Sequence, residues 1–488
     1  MRHPSLLKPS RFTALAAGLA LFAACRSAPG GPPGPDAVAI VEGVAGPDVR
    51  VDSTDEPFTV AVERGRWRAR DAAGETRDFW GAISHLDVAE AERAAASLDE
   101  RTFVVALRQL MDGDAEAAAV AFTALHSNST DLLVRTRARI GLTMALTWDS
   151  NWEAIAHMPP DPDTSIKRDP RAMQAAVERW AHAFAGIPPA AVSLSAEPFT
   201  VPLRRSAFGT PVVTVLINGQ PHEFWLDTGA SMTLLSVDVA VATGVHLAAP
   251  DTLALGVVNG HIDARAVYID SVSLGGFVAH GVTAAVVSRD MLRLDRSVVA
   301  GIMHSIPIDG VIGADLLRHM DLVIDAEAGT LTVSQPRRES KANRNLFWIG
   351  YPVVRLVSRD GKPLIFGLDT GAEGTYVTNS LLRALPRTPI AARRGAITGL
   401  GAETTRTEWV VRDVRVSDGD YAISLRNTPV APDRRWTFVN FDGVIGSDVA
   451  LATRLHLDFT NGMFDVRPSA AEVPHPAGRQ VAPGVYVP

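Results

Sequence analysis

The sequence predicts a multidomain protein in which a mainly helical N-terminal region is followed by two all-β lobes. Asp-Thr-Gly-Ala occurs twice, at residues 227–230 and 369–372, each time ending an apolar, strand-like run. The flanks of the two copies match in the same order, about 140 residues apart, far longer than a solenoid unit and the mark of a duplicated lobe. Ahead of both, Ala, Leu, Glu and Arg dominate, and apolar residues recur at helical spacing.

The two copies agree element by element. Pro211-Val212-Val213-Thr214-Val215-Leu216-Ile217 leads through an Asn218-Gly219 turn to Phe224-Trp225-Leu226. Pro352-Val353-Val354-Arg355-Leu356-Val357 leads through Asp360-Gly361 to Ile365-Phe366-Gly367-Leu368. Each is a hairpin that delivers its Asp at the end of the second strand. Downstream, Asp309-Gly310-Val311-Ile312-Gly313-Ala314-Asp315 is echoed by Asp442-Gly443-Val444-Ile445-Gly446-Ser447-Asp448, and a further strand-turn-strand follows each.

These motifs resemble the retropepsin-like aspartic protease family in a bacterial single-chain form with two tandem lobes. The resemblance covers about residues 200–468, with lobe 1 at 195–338, lobe 2 at 344–468 and a tail at 469–488. It implies closed, mostly antiparallel β lobes related by a pseudo-two-fold axis, with Asp227 and Asp369 as the catalytic pair at their junction. The implied activity is aspartic endopeptidase, acting on a peptide or protein substrate. Because one chain supplies both lobes, a monomer with an intramolecular pseudo-dimer is expected.

The chemistry accounts for the residue types. Two carboxyls about 3 Å apart cannot both ionise, so they share one proton. The charged one acts as general base on a water held between them, and the protonated one polarises the scissile carbonyl. The titration belongs to the pair, so sequence does not say which Asp takes which role. Gly229 and Gly371 permit close backbone approach. By the resemblance, Thr228 and Thr370 hydrogen-bond across the axis, and the Val-Ile-Gly elements pack behind the loops. Ala230 and Ala372 stand where pepsin-like relatives usually carry Ser or Thr, and without that hydroxyl donor the proton is held more tightly. Flap candidates are the Gly-containing hairpins Leu255–Gly260 and Thr398–Gly401, neither with the Tyr of a pepsin-like flap. A plain surface turn is the alternative for each. Asp315 and Asp448 are expected as helix N-caps, and Asp325 and Asp458 as turn residues.

Other chemistries lack their motifs. There is no His-Glu-x-x-His, no Gly-x-Ser-x-Gly elbow and no P-loop, and the 13 histidines show no metal-ligand spacing. No cofactor and no metal are expected. The net charge of -7, without a concentrated basic stripe, gives no reason to expect nucleic acid.

The N-terminus adds a location. Arg2, His3, Lys8 and Arg11 precede the apolar stretch Phe12–Ala24, too short for a comfortable span and shaped like a signal peptide covering residues 1–24. Phe22-Ala23-Ala24-Cys25 resembles a bacterial lipobox, with Phe where Leu is commonest. The resemblance implies lipidation of Cys25, the single cysteine, and a membrane anchor on the periplasmic side of the cell envelope. Arg26 in place of Asp favours the outer membrane. Ordinary secretion, with cleavage near the Ala cluster, is the alternative. Residues 25–51 then form a Gly/Pro-rich tether.

Residues 52–190 form the mainly helical region. Leu98, Phe103, Leu107 and Leu110, then Ala118, Phe122 and Leu125, fall at helical spacing, punctuated by Gly113-Asp114. With Ala138-x-x-Gly141-Leu142 they resemble degenerate tetratricopeptide helices, and a plain helical bundle fits equally. Either would offer a surface for a protein partner. A pseudo-protease scaffold without hydrolysis remains the alternative function. Glu56-Pro57-Phe58-Thr59-Val60 recurs as Glu197-Pro198-Phe199-Thr200-Val201, with no physical account from sequence.

Overall fold

The computed structural model describes residues 51–469 except 55, 66, 68, 70–76, 160–167, 207–208, 258–259, 290–291, 299–301, 337–343, 373, 400–401 and 437, together with 480–482 and 485–486. Cys25, the signal-like segment and most of the tether lie outside the described residues. A helical region between residues 79 and 184 is followed by two β-rich lobes with barrel-like sheets.

In lobe 1, Pro211–Ile217 pairs with Gln220–Leu226. Asn218 and Gly219 sit at φ of 48° and 83°, the left-handed pair that a two-residue hairpin turn demands. Gly310–Ile312 runs parallel to Phe224–Leu226 on one side and antiparallel to Leu234–Leu235 on the other. The long strand Gly260–Leu274 pairs with His246–Val257 and with Phe277–Val287, and Phe277–Val287 also pairs with Leu234–Ser236, which closes the sheet. Lobe 2 repeats this plan. Pro352–Ser358 and Pro363–Leu368 form its hairpin, Gly443–Ile445 inserts between Phe366–Leu368 and Tyr376–Val377, and Ala402–Ser417 pairs with both Ile390–Gly399 and Tyr421–Ala431. Both flap candidates are thus tips of long hairpins, although residues 258–259 and 400–401 themselves lie outside the described residues.

Strand alternation sorts the side chains into two cores. Phe224, Leu226 and Ile312 point into the barrel interior with Val213, Val215 and Ile269. Trp225 and Val311 point the other way, into a cluster shared with the helical region. The lobes join through a five-stranded sheet at whose centre Asp321–Asp325 lies antiparallel to Arg454–Asp458. Asp325 and Asp458 accept from the Ala328 and Asn461 N–H groups at 2.9 Å, shaping the turns that follow them.

The helices begin where short polar side chains cap them. Ser97 and Glu100 form a reciprocal capping box ahead of Leu98–Met111, Asp114 caps Ala115–Asn128, and Asp131 caps Leu132–Trp148. Phe103, Leu107, Leu110, Ala118, Phe122 and Leu125 are buried, whereas Leu98 in the first turn is 71% exposed and lies off the apolar stripe. Phe79–Ser84 and Val88–Ala94 precede these helices, and Trp152–Ala156 and Arg168–Phe184 follow them.

The start of the stretch assigned to the helical region behaves differently. Thr59–Arg64 pairs antiparallel with Tyr421–Ala431, and Val51–Ser53 pairs with Ile390–Ala392, so both strands extend the lobe 2 sheet. Phe58, Val60 and Val62 pack against the barrel core, burying an alternating face that no helix could present. The counterpart in lobe 1 is Ala191–Leu194 on Phe277–Val287, located after the helices. The two copies of the Glu-Pro-Phe-Thr-Val word consequently serve different strands: the second leads into Phe199–Pro202, at the edge of the inter-lobe sheet.

Gly141 sets how closely two helices approach. A Cβ there would lie 2.5 Å from the Phe122 ring, which is itself fully buried. Gly141→Ala is expected to destabilise the helical region by roughly 1–3 kcal/mol through overpacking, read as a lower midpoint in denaturant unfolding. Gly186→Ala, with nothing within 4 Å of its Cβ position, makes the comparison; its φ of 81° limits its own cost to backbone strain.

Candidate active site

The Val-Ile-Gly strands fix both Asp-Thr-Gly-Ala loops by the same two bonds. Asp227 N–H donates to Ile312 O at 3.1 Å and Ala314 N–H to Ala230 O at 2.7 Å; in lobe 2, Asp369 N–H donates to Ile445 O at 2.9 Å and Ser447 N–H to Ala372 O at 2.8 Å. A Cβ on Gly313 would meet the backbone of Met232 at 2.7 Å, so only Gly permits this approach.

The loops then meet across the axis. Thr228 N–H donates to Thr370 Oγ1 and Thr370 N–H to Thr228 Oγ1, both at 3.0 Å. The hydroxyls pass their own protons to the strands opposite: Thr228 Oγ1 to Leu368 O at 3.0 Å, Thr370 Oγ1 to Leu226 O at 2.8 Å. All four groups are buried. Gly229 lies against the Asp369 carboxyl, where a Cβ would sit 2.5 Å from Cγ, and Gly371 lies equally close to Asp227. The structure thus brings Asp227, Thr228, Gly229, Asp369, Thr370 and Gly371 into one constellation.

The two carboxyls are in hydrogen-bonding contact. Asp227 Oδ1 accepts from the Gly229 and Ala230 N–H groups at 2.8 and 3.1 Å, and Asp369 Oδ1 accepts from Ala372 N–H at 2.8 Å. Burial pushes Asp227 well above the usual carboxylate range; the charge of Asp369 and its hydrogen bond push the same way, against the two backbone donors. The outer oxygens differ. Tyr351 Oη donates to Asp369 Oδ2 at 3.2 Å, while Asp227 Oδ2 is buried and takes no hydrogen bond from the described residues.

Asp315 and Asp448 are not N-caps. Gly313 and Gly446 hold the cap positions, and the Asp side chains sit in the first turn instead. Asp315 accepts from Thr233 Oγ1 at 3.0 Å, and Asp448 from Thr375 N–H at 2.7 Å and from Thr375 Oγ1, bracing the chain just beyond each loop. Burial raises both to about 6. Sequence reading did not single out Thr233, Thr375 or Tyr351. The threonines recur at the same offset in both copies, a signal that was there to be found. Among the described residues, no group of three or more His, Cys, Asp or Glu side chains converges as a metal site would require.

Helices cover the dyad side of each lobe. Trp152, Trp180 and Phe184 pack with Trp225, Ala230, Met232, Leu253 and Leu255, and Trp180 Nε1 donates to Ala254 O in the flap hairpin at 3.0 Å. In lobe 2, Phe79, Phe103 and Phe122 pack with Tyr351, Phe438, Phe441 and Val444. Asp227 and Asp369 are 0% and 3% exposed.

Two β-rich lobes with barrel-like sheets and paired aspartates at their junction resemble the aspartic protease fold. Residues 213–316 match the family model described as aspartyl protease, a segment that includes Asp227 and the first Val-Ile-Gly element. Among solved structures, a retropepsin-like aspartic protease from Rickettsia conorii is similar at 19% identity, covering 29% of this chain and 93% of that one, with a TM-score of 0.20. An aspartic proteinase from Irpex lacteus is similar at 13% identity, covering 56% of this chain and 98% of that one, with a TM-score of 0.35. No curated protein matches this sequence.

Replacing Thr370 by Val removes an acceptor for Thr228 N–H and a donor to Leu226 O, orphaning two buried groups. The expected loss is roughly 1–3 kcal/mol per group, measured by denaturant unfolding. Thr370→Ser keeps the hydroxyl and should recover most of it.

Proposed function

We propose that this protein is an aspartic endopeptidase that hydrolyses peptide bonds with a water activated between Asp227 and Asp369. The supporting observation is the reciprocal threonine exchange that holds the two carboxyls in hydrogen-bonding contact. One carboxylate takes a proton from water as the water oxygen bonds to the carbonyl carbon, and the other carboxyl gives its proton to the carbonyl oxygen. In the collapse of this tetrahedral species the C–N bond breaks, the leaving nitrogen takes the proton that the first carboxyl acquired from water, and a hydroxyl of the former carbonyl carbon returns its proton to the second carboxylate, which restores the starting pair. The two flap hairpins supply strand edges against which an extended peptide can pair.

The finer parts of the proposal rest on sequence. Cys25 in its lipobox-like setting is the anchor to the cell envelope, on its periplasmic face, and the helical region, tetratricopeptide-like or a plain bundle, is the place for a protein partner. A second reading has an observation in its favour: helices pack over the dyad side of both lobes, as a scaffold with a pseudo-protease groove would allow.

Peptide-library cleavage separates the two. Asp227→Asn and Asp369→Asn should each reduce cleavage on the order of 10²–10⁴-fold and abolish binding of a pepstatin-type transition-state mimic. Wild-type protein that cleaves nothing between about pH 4 and 7 selects the scaffold. The pH profile has a definite sign. The dyad works while it keeps one proton, and Asp227 holds its proton to a pH above the usual carboxylate range. The alkaline limb should accordingly fall above that range, with a mildly acidic to near-neutral optimum; a maximum near about pH 3, below the free carboxyl values, would contradict it. Cys25→Ser should move the protein from the membrane fraction to the soluble one.

A further inference from the structure

The two lobes repeat each other closely except beside Asp369. The hairpin registers align Val212–Trp225 with Val353–Gly367. Thr210, two residues before Val212, therefore corresponds to Tyr351, and Trp225 corresponds to Gly367. Large and small have changed places. In lobe 2 the bulk comes from the bend just before the first strand, and the second strand is cut back to Gly to admit it: a Cβ on Gly367 would lie 2.9 Å from Tyr351 Cε1 and 3.2 Å from the Phe441 ring. Tyr351 is 5% exposed and packs on Phe441 with ring centroids 5.8 Å apart, which holds its hydroxyl on Asp369 Oδ2.

We infer that Tyr351 is a positioning residue that breaks the symmetry of the dyad, making Asp369 the charged general base and leaving the shared proton on Asp227. The inference rests on the protease reading and deepens it. A phenol donating to a carboxylate favours the charged form of that carboxylate. Asp227 Oδ2 is buried with no hydrogen bond from the described residues, and a carboxyl in that position is less costly neutral than ionised. Tyr351 also supplies, from the bend before Pro352–Ser358, the hydroxyl that neither Ala230 nor Ala372 carries. The groups that face Asp369 include Asp227 and Gly229 from the opposite loop, Tyr351 from its own lobe, and the Ala372 N–H on its other oxygen. Asp315 and Asp448 are engaged by Thr233 and Thr375.

The test is Tyr351→Phe, which keeps the ring and removes only the hydroxyl. The carboxyls are followed by carbon-13 NMR of Asp-labelled full-length protein, and cleavage is followed across the same pH range. Without its donor, Asp369 should ionise later, so the lower step of the dyad titration rises by about one pH unit while the upper step stays in place. The acid limb of kcat should move with it, and KM should not change. A lower step that does not move would show the hydroxyl to be mere packing. Movement of the upper step alone would reverse the roles of the two aspartates. Because the titration needs no substrate, a wild-type protein that cleaves nothing yet shows the shift loses the endopeptidase reading and with it the base role of Asp369, and keeps only the Tyr351-made asymmetry of the two carboxyls. A protein that cleaves, with a titration indifferent to Tyr351, does the opposite.

Discussion

Everything at the junction depends on two threonines that bond to each other's backbone. The exchange between Thr228 and Thr370 is buried, so neither N–H could find water if the other lobe withdrew, and leaving a buried donor unpaired is expensive. That cost forces the two loops together and sets Gly229 and Gly371 against the opposite carboxyls. The raised Asp227 follows: two acids are held where water is scarce, with one proton too few to neutralise both. The inter-lobe sheet brings the lobes into register, and the threonines fix the remaining distance.

Much of this was legible in the sequence because it is written twice. The hairpins, the Val-Ile-Gly strands and the dyad itself were each found by matching one copy to the other. Legibility failed where the copies diverge or where partners come from far away. Tyr351 answers to Thr210, so matching discarded it, although the paired change of Trp225 to Gly367 marks the spot. Asp315 and Asp448 were misplaced because a local rule, the N-cap, was applied to side chains whose partners, Thr233 and Thr375, lie more than 70 residues away. Nothing local says that the ladder partner of Thr59–Arg64 is Tyr421–Ala431.

The helical region is more than a spacer in this conformation. It packs on the Trp225 and Val311 side of lobe 1 and on the Tyr351 and Val444 side of lobe 2, the faces left over once each barrel has filled its interior. It is also tied down at both ends. The strand before it belongs to lobe 2 and the strand after it to lobe 1, so it spans the junction as a strap and cannot swing away as a pendant arm. Trp180 Nε1 further ties its helix to Ala254 O in the hairpin that is the flap candidate of lobe 1.

The crossed placement of those end strands also sets a clock on assembly. Thr59–Arg64 leaves the ribosome long before its partner Tyr421–Ala431 is made; the Glu63–Arg415 ion pair beside that ladder closes over 352 positions. Long-range pairing of this kind forms late. Between the making of Asp227 and of Asp369 the chain has one aspartate without the other, and the helical strap keeps one end loose until Tyr421–Ala431 follows. Completion of the dyad and closure of the strap both wait for lobe 2, which supplies Asp369 to the one and Tyr421–Ala431 to the other.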